Sequence, residues 1–368
     1  MSDARLAALA AALDAPAPAV HAVRAPGRVN LIGEHVDYND GVVLPMAIDR
    51  DTLVAWRART DDRTTARSLE IPGLVECTSA GERSGPDWGA FVPAAARAAQ
   101  ALGAAPVALD LAVTSTVPAG GGLSSSAALG VALVLAHCVA GGIDPDRRAL
   151  ALAAQQVEVA ATGVPCGTMD QLASALGVAG HALRIDCHDL SASPVRMPDD
   201  LAVLVVHSGV ERTLAGSEYA ERRAACERAA ARLDLPSLRD ARAERVTDDP
   251  FARHVVAEIE RVDAFVAALE RDDRAALGRI LLEGHASLRD DFRVSIAEVD
   301  RLVDALVTEG AYGARITGAG FGGCVVALTD PDVVDALATR ACATYTAATG
   351  RTARPFVVRA AAGAAPVT

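Results

Sequence analysis

The stretch VPAGGGLSSSAALGVALVLAHCVA, from Val117 to Ala140, constrains the fold more tightly than any other part of the chain. A strand-like alternation (Val107, Leu109, Leu111, Val113) leads into three glycines and three serines, and an apolar run follows at once. Strand, glycine turn and helix in that order aim several backbone N–H groups at one point, where the helix dipole favours an anion. Glycine lets the backbone approach a ligand closely. Serine is a good N-cap, and its hydroxyl can also donate to phosphate oxygens or ligate Mg2+. Taken alone, GGGLSSSA reads equally as an ordinary glycine turn with a serine cap.

The chain contains no lysine; all 35 residues of its Lys+Arg total are arginine. A coding bias toward Ala and Arg accounts for this, yet the absence excludes mechanisms. A Walker-type phosphate loop, a protein-kinase site and a Schiff-base enzyme each need a lysine. The net charge of -12, with no arginine cluster interleaved with aromatics, argues against a nucleic-acid partner. Cys77, Cys138, Cys166, Cys187, Cys226, Cys324 and Cys342 are scattered, odd in number and without CxxC spacing, as expected of reduced thiols. The longest apolar run, Ala127 to Ala140, contains His137 and falls short of the roughly 20 residues needed to span a bilayer. The opening MSDARLAALAAALDAPAPAV reads as a short surface helix and not as a signal peptide. A soluble cytoplasmic monomer with no membrane partner is expected.

At 368 residues, of which 51% are apolar, two packed units are expected, and with aromatics at 3% their cores must be aliphatic. A charged, turn-rich patch at 191–200 precedes the strand-like LAVLVVHSGV (201–210) and divides the chain into residues 1–195 and 196–368. The second part shows amphipathic helical segments near Tyr219–Leu233, Val255–Leu269 and Ile296–Leu306, with strands at Gly313–Thr317 and Cys324–Leu328. The fold class is α+β in two parts.

Three further stretches carry chemistry. RAPGRVNLIGEHVDYNDGVVLP (24–45) crowds Arg28, Glu34, His35, Asp37 and Asp40 between apolar runs. Its carboxylates suit sugar hydroxyls and Arg28 suits developing negative charge; a solvated turn is the bland alternative. In VEVAATGVPCGTMDQLASALG (157–177), Asp170 stands at a helix start, as an N-cap or as the partner of a hydroxyl nucleophile. Glu158 in the same stretch is a metal ligand or a surface glutamate. In ARITGAGFGGCVVALTD (314–330), four glycines between two strands form a tight hairpin or a second wall against phosphates. Gly318, Gly320 and Gly323 spell GxGxxG but precede a strand, so the dinucleotide-fold reading fails its context.

Together these stretches resemble the GHMP small-molecule kinases, and among them the galactokinases. GRVNLIGEHVDYNDG resembles the galactokinase signature, PAGGGLSSSAA the family's phosphate loop and ITGAGFGGC its third motif. CGTMDQ, RTLAGSEYAERRAACE (212–227) and HASLRDDF (285–292) follow in order, so the resemblance runs from about Arg24 to Leu328. It implies a two-domain GHMP kinase fold with ATP and Mg2+ in the cleft, and phosphorylation of the C1 hydroxyl of α-D-galactose. Carried over by position, Asp170 is the catalytic carboxylate and Arg28 sits beside the C1 hydroxyl and the transferred group. Ser126 and Glu158 hold Mg2+. Glu34, His35, Asp37, Gly167 and Tyr219 contact the sugar. Gly120, Gly121, Gly122, Leu123, Ser124, Ser125 and Ser126 surround the phosphates.

Some positions depart from the family pattern. Val36 stands where Thr is common, Phe91 where Tyr is, and Ala94 where Gly is, the last two on the expected adenine side. The rival readings are a 1-kinase of N-acetylgalactosamine, arabinose or a uronic acid, a non-catalytic galactose and ATP sensor, and, resting on 318–323 alone, an NAD-dependent oxidoreductase.

Overall fold

In the computed structural model, which describes residues 2–16, 20–78, 83–211 and 215–367, the first part of the chain runs α1 (Ser2–Ala12), β1 (His21–Asn30), β2 (Val42–Val43), β3 (Pro45–Ala58), β4 (Arg63–Ser68), β5 (Leu74–Thr78), β6 (Arg83–Ser84), α2 (Phe91–Ala101), β7 (Leu109–Ser115), α3 (Ser125–Ala140), α4 (Arg147–Thr162), α5 (Met169–Leu176), β8 (His181–Asp186) and β9 (Ser191–Arg196). The second runs β10 (Ala202–His207), α6 (Ala215–Arg232), α7 (Pro250–Glu270), α8 (Arg274–Asp290), α9 (Ala297–Thr308), β11 (Gly313–Thr317), β12 (Cys324–Thr329), α10 (Val334–Thr349), β13 (Arg354–Val358) and β14 (Ala365–Pro366). The described strands form sheets of order β14-β1-β3-β7-β4-β5-β6, β11-β12-β10-β13 and β2-β8-β9.

Successive strand side chains point to opposite faces, and the large sheet sorts its residues accordingly. On β3, Val54 and Trp56 join the main core while Leu53 and Ala55 face the other way, toward Leu9 of α1 and Leu13 just after it. The main-core face is covered by α3 and α5, with α2 and α4 packed on α3. The apolar run of α3 shows no polar face because nearly all of Ala127 to Cys138 is buried, as befits an inner helix. His137 within it is kept neutral, its pKa pushed down to about 4 by burial. The four-stranded sheet repeats the pattern. Leu204 and Val206 face α9 and α10, and Val203 and Val205 face α7 and α8.

The three amphipathic segments map onto α6, α7 and α9, with Leu233 just past the end of α6 and Ile296 at the cap of α9, and the two late strands are β11 and β12. The first three residues of the segment quoted from 212 lie outside the described residues. Two long helices escape the sequence reading. In α8 the apolar positions Leu277, Ile280, Leu281 and Leu288 are interrupted by Gly278 and Gly284, and α10 is rich in Ala and Thr. A division at 195/196 separates Arg196, the last residue of β9, from the rest of that strand, and it places β14 in the second part. Yet β14 pairs with β1, Val23 opposite Pro366 and Arg24 opposite Ala365, so the final strand completes the first sheet. Among the described residues no helix is long and apolar enough to cross a membrane. No disulfide joins cysteines among the described residues.

Candidate active site

The loop from β7 to α3 meets strand β1 at its irregular point. The β1–β3 register shifts between Pro26 and Arg28, as at a bulge, and Gly27 packs against the Leu123 carbonyl so closely that a Cβ there would fall 2.7 Å from its oxygen. The Arg28 backbone N–H donates to that carbonyl at 3.1 Å. The Arg28 side chain is thereby brought into the site, where Nε and Nη2 reach Asp170 Oδ1 at 2.7 and 2.6 Å and Nη1 donates to the Gly122 carbonyl at 2.6 Å. Burial opposes its charge, but Asp170, Glu34 and Asp37 outweigh burial and raise its pKa.

Two expected caps serve other purposes. Ser124 occupies the cap position of α3 in left-handed backbone (φ 59°, ψ 45°) and makes no side-chain cap bond. Its hydroxyl donates instead to Asp170 Oδ2 at 2.5 Å. Asp170 is not the N-cap of α5. Thr168 holds that position, and Asp170 lies in the first turn with both carboxylate oxygens turned to Arg28 and Ser124. A strand, a helix start and a glycine loop therefore converge on one carboxylate.

Next to it, Ser126 donates to Glu158 Oε1 at 2.6 Å, and the Gln171 amide donates to Oε2 at 2.7 Å. Glu158 is half-buried at the wall of a cavity, with both carboxylate oxygens held by side chains. Burial raises its pKa first, and the nearby Asp170 adds to that. Such a carboxylate is better satisfied by a cation than by water.

The segment after β1 supplies the acidic wall. Glu34 is buried, and its Oε1 accepts from the Gly318 N–H at 2.7 Å and the Thr317 hydroxyl at 3.1 Å. Burial raises its pKa, with Arg28 and Arg315 acting against that. His35 contacts the Ala319 carbonyl through Nε2 at 3.2 Å and the Tyr38 hydroxyl through Nδ1 at 2.9 Å. A carbonyl only accepts, so Nε2 carries the proton and Nδ1 accepts from Tyr38. The ring packs among Tyr38, Tyr219 and Phe292. The glycine-rich hairpin between β11 and β12 is thus a wall toward Glu34 and His35.

Asp37 lies against Gly167, where a Cβ would fall 1.8 Å from Asp37 Oδ2. Burial, then the charges of Asp170 and Glu34, raise its pKa from 3.8 to about 7. Between those values the folded chain keeps a proton that the unfolded chain releases, so stability falls as pH rises through that window. The contribution is complete below about pH 4 and lost above about 7. Asp37→Asn cannot ionise, and its melting temperature without ligand is expected to exceed the parent's by about 2–4 °C at pH 8 and by less at pH 5. The effect is small because Asp37 borders a cavity and is not enclosed by protein on all sides. Thermal unfolding at the two pH values checks it.

That cavity, of about 290 Å³, is lined by Arg28, Glu34, His35, Asp37, Gly120, Gly122, Ser124, Ser125, Ser126, Glu158, Gly167, Asp170 and Tyr219. Gly121 and Leu123 do not line it. Leu123 is wholly buried in the core and contributes only its carbonyl, and Gly121 faces His207. Val164, Cys166, Met169, Gly318 and Ala319 complete the lining, as residues whose types alone signal nothing. Burial first, then Glu158 and Asp170, push the Cys166 thiol up to about 12, so it is inert at neutral pH. Val36 is fully buried and packs under Gly41, so the missing threonine hydroxyl is not lost from the cavity. Phe91 and Ala94 belong to the main core.

The profile described as the galactokinase galactose-binding signature matches residues 10–58, that of the GHMP kinase N-terminal domain 90–178 and that of the GHMP kinase C-terminal region 265–347. The chain is 44% identical to the galactokinase of Chloroflexus aggregans over 94% of its own length and 93% of that protein. It is equally 44% identical to the galactokinase of a Roseiflexus species, over 93% and 91%. The Lactococcus lactis galactokinase solved with galactose superposes with a TM-score of 0.93 at 29% identity, covering both chains completely. The Methanococcus jannaschii mevalonate kinase shares the fold, with a TM-score of 0.64 at 17% identity over 92% and 98% of the two chains.

Proposed function

The chain belongs to the galactokinase family of GHMP kinases, and from that premise we infer that it transfers the γ-phosphoryl group of ATP to the C1 hydroxyl of α-D-galactose, giving galactose 1-phosphate and ADP. One observation carries this reading. The Arg28–Asp170 pair stands where the Ser124 end of the glycine loop meets the acidic segment of Glu34, His35 and Asp37 in a single cavity. A hydroxyl nucleophile on the acidic side faces a phosphoryl donor on the loop side, with a carboxylate and a guanidinium between them.

Phosphoryl transfer depends on positioning and charge neutralisation more than on covalent help, which is how a lysine-free chain performs it. The galactose O1–Pγ bond forms as the bond from Pγ to the ADP oxygen breaks, and Asp170 takes the C1 hydroxyl proton as general base. Ser124 donates to Oδ2 of that carboxylate, the oxygen not engaged by Arg28. Arg28 lies where charge develops on the transferred group. Backbone N–H groups and the start of α3 receive the remaining phosphate charge.

Ser126 and Glu158 are the residues that would hold Mg2+. A half-buried carboxylate of raised pKa beside a hydroxyl is a hard-oxygen pair. That suits an ion held by one carboxylate, a hydroxyl and nucleotide phosphates. When bound, Mg2+ neutralises charge on the transferring phosphoryl group.

The acidic wall supports galactose over its relatives. Glu34, His35, Asp37 and Tyr219 offer acceptors and an aromatic face, with Asp37 held against Gly167. Gly167→Ala drives a methyl group into that carboxylate, and the KM for galactose is expected to rise about 10- to 100-fold with little change in that for ATP. A panel of sugars incubated with ATP and Mg2+, following ADP release, tests the function itself. Galactose should be turned over fastest, and much faster turnover of N-acetylgalactosamine, arabinose or a uronic acid overturns the substrate. We place this activity in the cytoplasm, where ATP and cysteines that form no disulfide coexist.

A further inference from the structure

A buried ion pair remote from the reacting atoms remains outside that mechanism. Glu258 on α7 and Arg315 on β11 are both completely enclosed, and Arg315 Nη2 donates to Glu258 Oε1 at 2.6 Å. The same Oε1 accepts the backbone N–H groups of Gly33 and Glu34 at 2.9 and 3.2 Å, and Oε2 accepts from Arg261 Nε at 3.1 Å. One carboxylate of the second half thus holds two consecutive amides of the acidic segment. His254, one helical turn before Glu258 on α7, donates through Nε2 to the Glu34 carbonyl at 3.1 Å.

An enclosed ion pair is poor support for stability by itself, because desolvation offsets its attraction. Its arrangement here serves a different end. Two arginines share one glutamate, and Nε and Nη1 of Arg315 have no partner among the described residues, so positive charge is left over. That charge acts on Glu34. Arg315 and Thr317 share one face of β11, and Thr317 with Gly318 donates to Glu34 Oε1. Room for the guanidinium comes from Gly284 on α8, where a Cβ would fall 2.4 Å from Arg315 Nη1.

We propose that Glu258 and Arg315 form a positioning pair that fixes the backbone at Gly33–Glu34 and aims the Glu34 carboxylate at the sugar, so that the second half of the chain sets the sugar-binding segment of the first. Glu258 keeps Arg315 away from Glu34 while leaving its charge near enough to favour the ionised carboxylate. The proposal rests on the reading of the cavity as a sugar site. Removing the Glu258 charge frees a buried cation whose nearest remaining acidic partner in this network is Glu34, and Glu34 would turn from the sugar to meet it.

Glu258→Gln preserves shape and an acceptor oxygen. In the full-length protein its KM for galactose should rise by about tenfold or more, with kcat and the KM for ATP within about threefold of the parent. Amide exchange across residues 31–38 without sugar should quicken several-fold, on the order of a lost charge-assisted hydrogen bond. Adding Arg315→Met removes the stranded cation and should recover most of the galactose affinity, a non-additive result that mere loosening of the fold would not give. A folded Glu258→Gln protein with unchanged galactose KM and unchanged exchange overturns the pair, and so does a double variant no better than the single one. If the parent protein does not turn over galactose, the proposed function falls, and the sugar-free exchange still decides the role of the pair.

Discussion

Asp170→Asn is expected to lower kcat by about 10²- to 10⁴-fold, the range for loss of a positioned general base, while the KM for galactose changes little. The asparagine carbonyl can still accept from Arg28, and its amide can donate to the Ser124 hydroxyl, so the contacts that hold α5 against β1 survive the change. What is lost is the basic oxygen opposite the C1 hydroxyl. Arg28 alone already acidifies that hydroxyl by opposing the charge it develops, so the rate should not fall to the uncatalysed level. Steady-state turnover beside an unchanged melting temperature makes the measurement. Full retention of turnover would sink the role of Asp170 as a base.

Much of this site is legible in residue order because its chemistry depends on types that are scarce elsewhere. Arg28, Glu34, His35 and Asp37 stand within ten residues, and Ser124 to Ser126 follow a glycine run after a single leucine. Their neighbours in space are harder to read. Gly318 and Ala319 line the cavity through a backbone N–H and a carbonyl, which every residue possesses. Glu258 looks like one acidic residue of a charged helix until the fold places the amides of Gly33 and Glu34 against it, 225 and 224 residues away in sequence. Ser124 shows the limit from another side. Its type and position predict a cap, but a left-handed backbone turns the hydroxyl toward Asp170, and only the meeting of β1, α3 and α5 makes that the better bond.

Arg28→Lys is the second large effect, expected to reduce kcat/KM by about 10²- to 10³-fold, as for loss of a preorganised donor to developing charge. Arg28 performs three tasks at once from a planar fork. Nε and Nη2 meet one oxygen of Asp170, and Nη1 holds the Gly122 carbonyl in the loop. A lysine ammonium is a point donor on a longer, flexible stem and cannot reach both groups in the same geometry. The site is also enclosed, so desolvation lowers a lysine pKa where the always-charged guanidinium resists it. With Gly122 released, the loop before α3 loses a fixed carbonyl and the phosphoryl donor loses its alignment, so both kcat and the KM for ATP should worsen. The KM for galactose should move less, because Glu34 and Asp37 keep their own supports at Gly318 and Gly167. Were a lysine at 28 to retain the parent's kcat/KM, a single positive charge would suffice, and the fork geometry of Arg28 would have no part in catalysis.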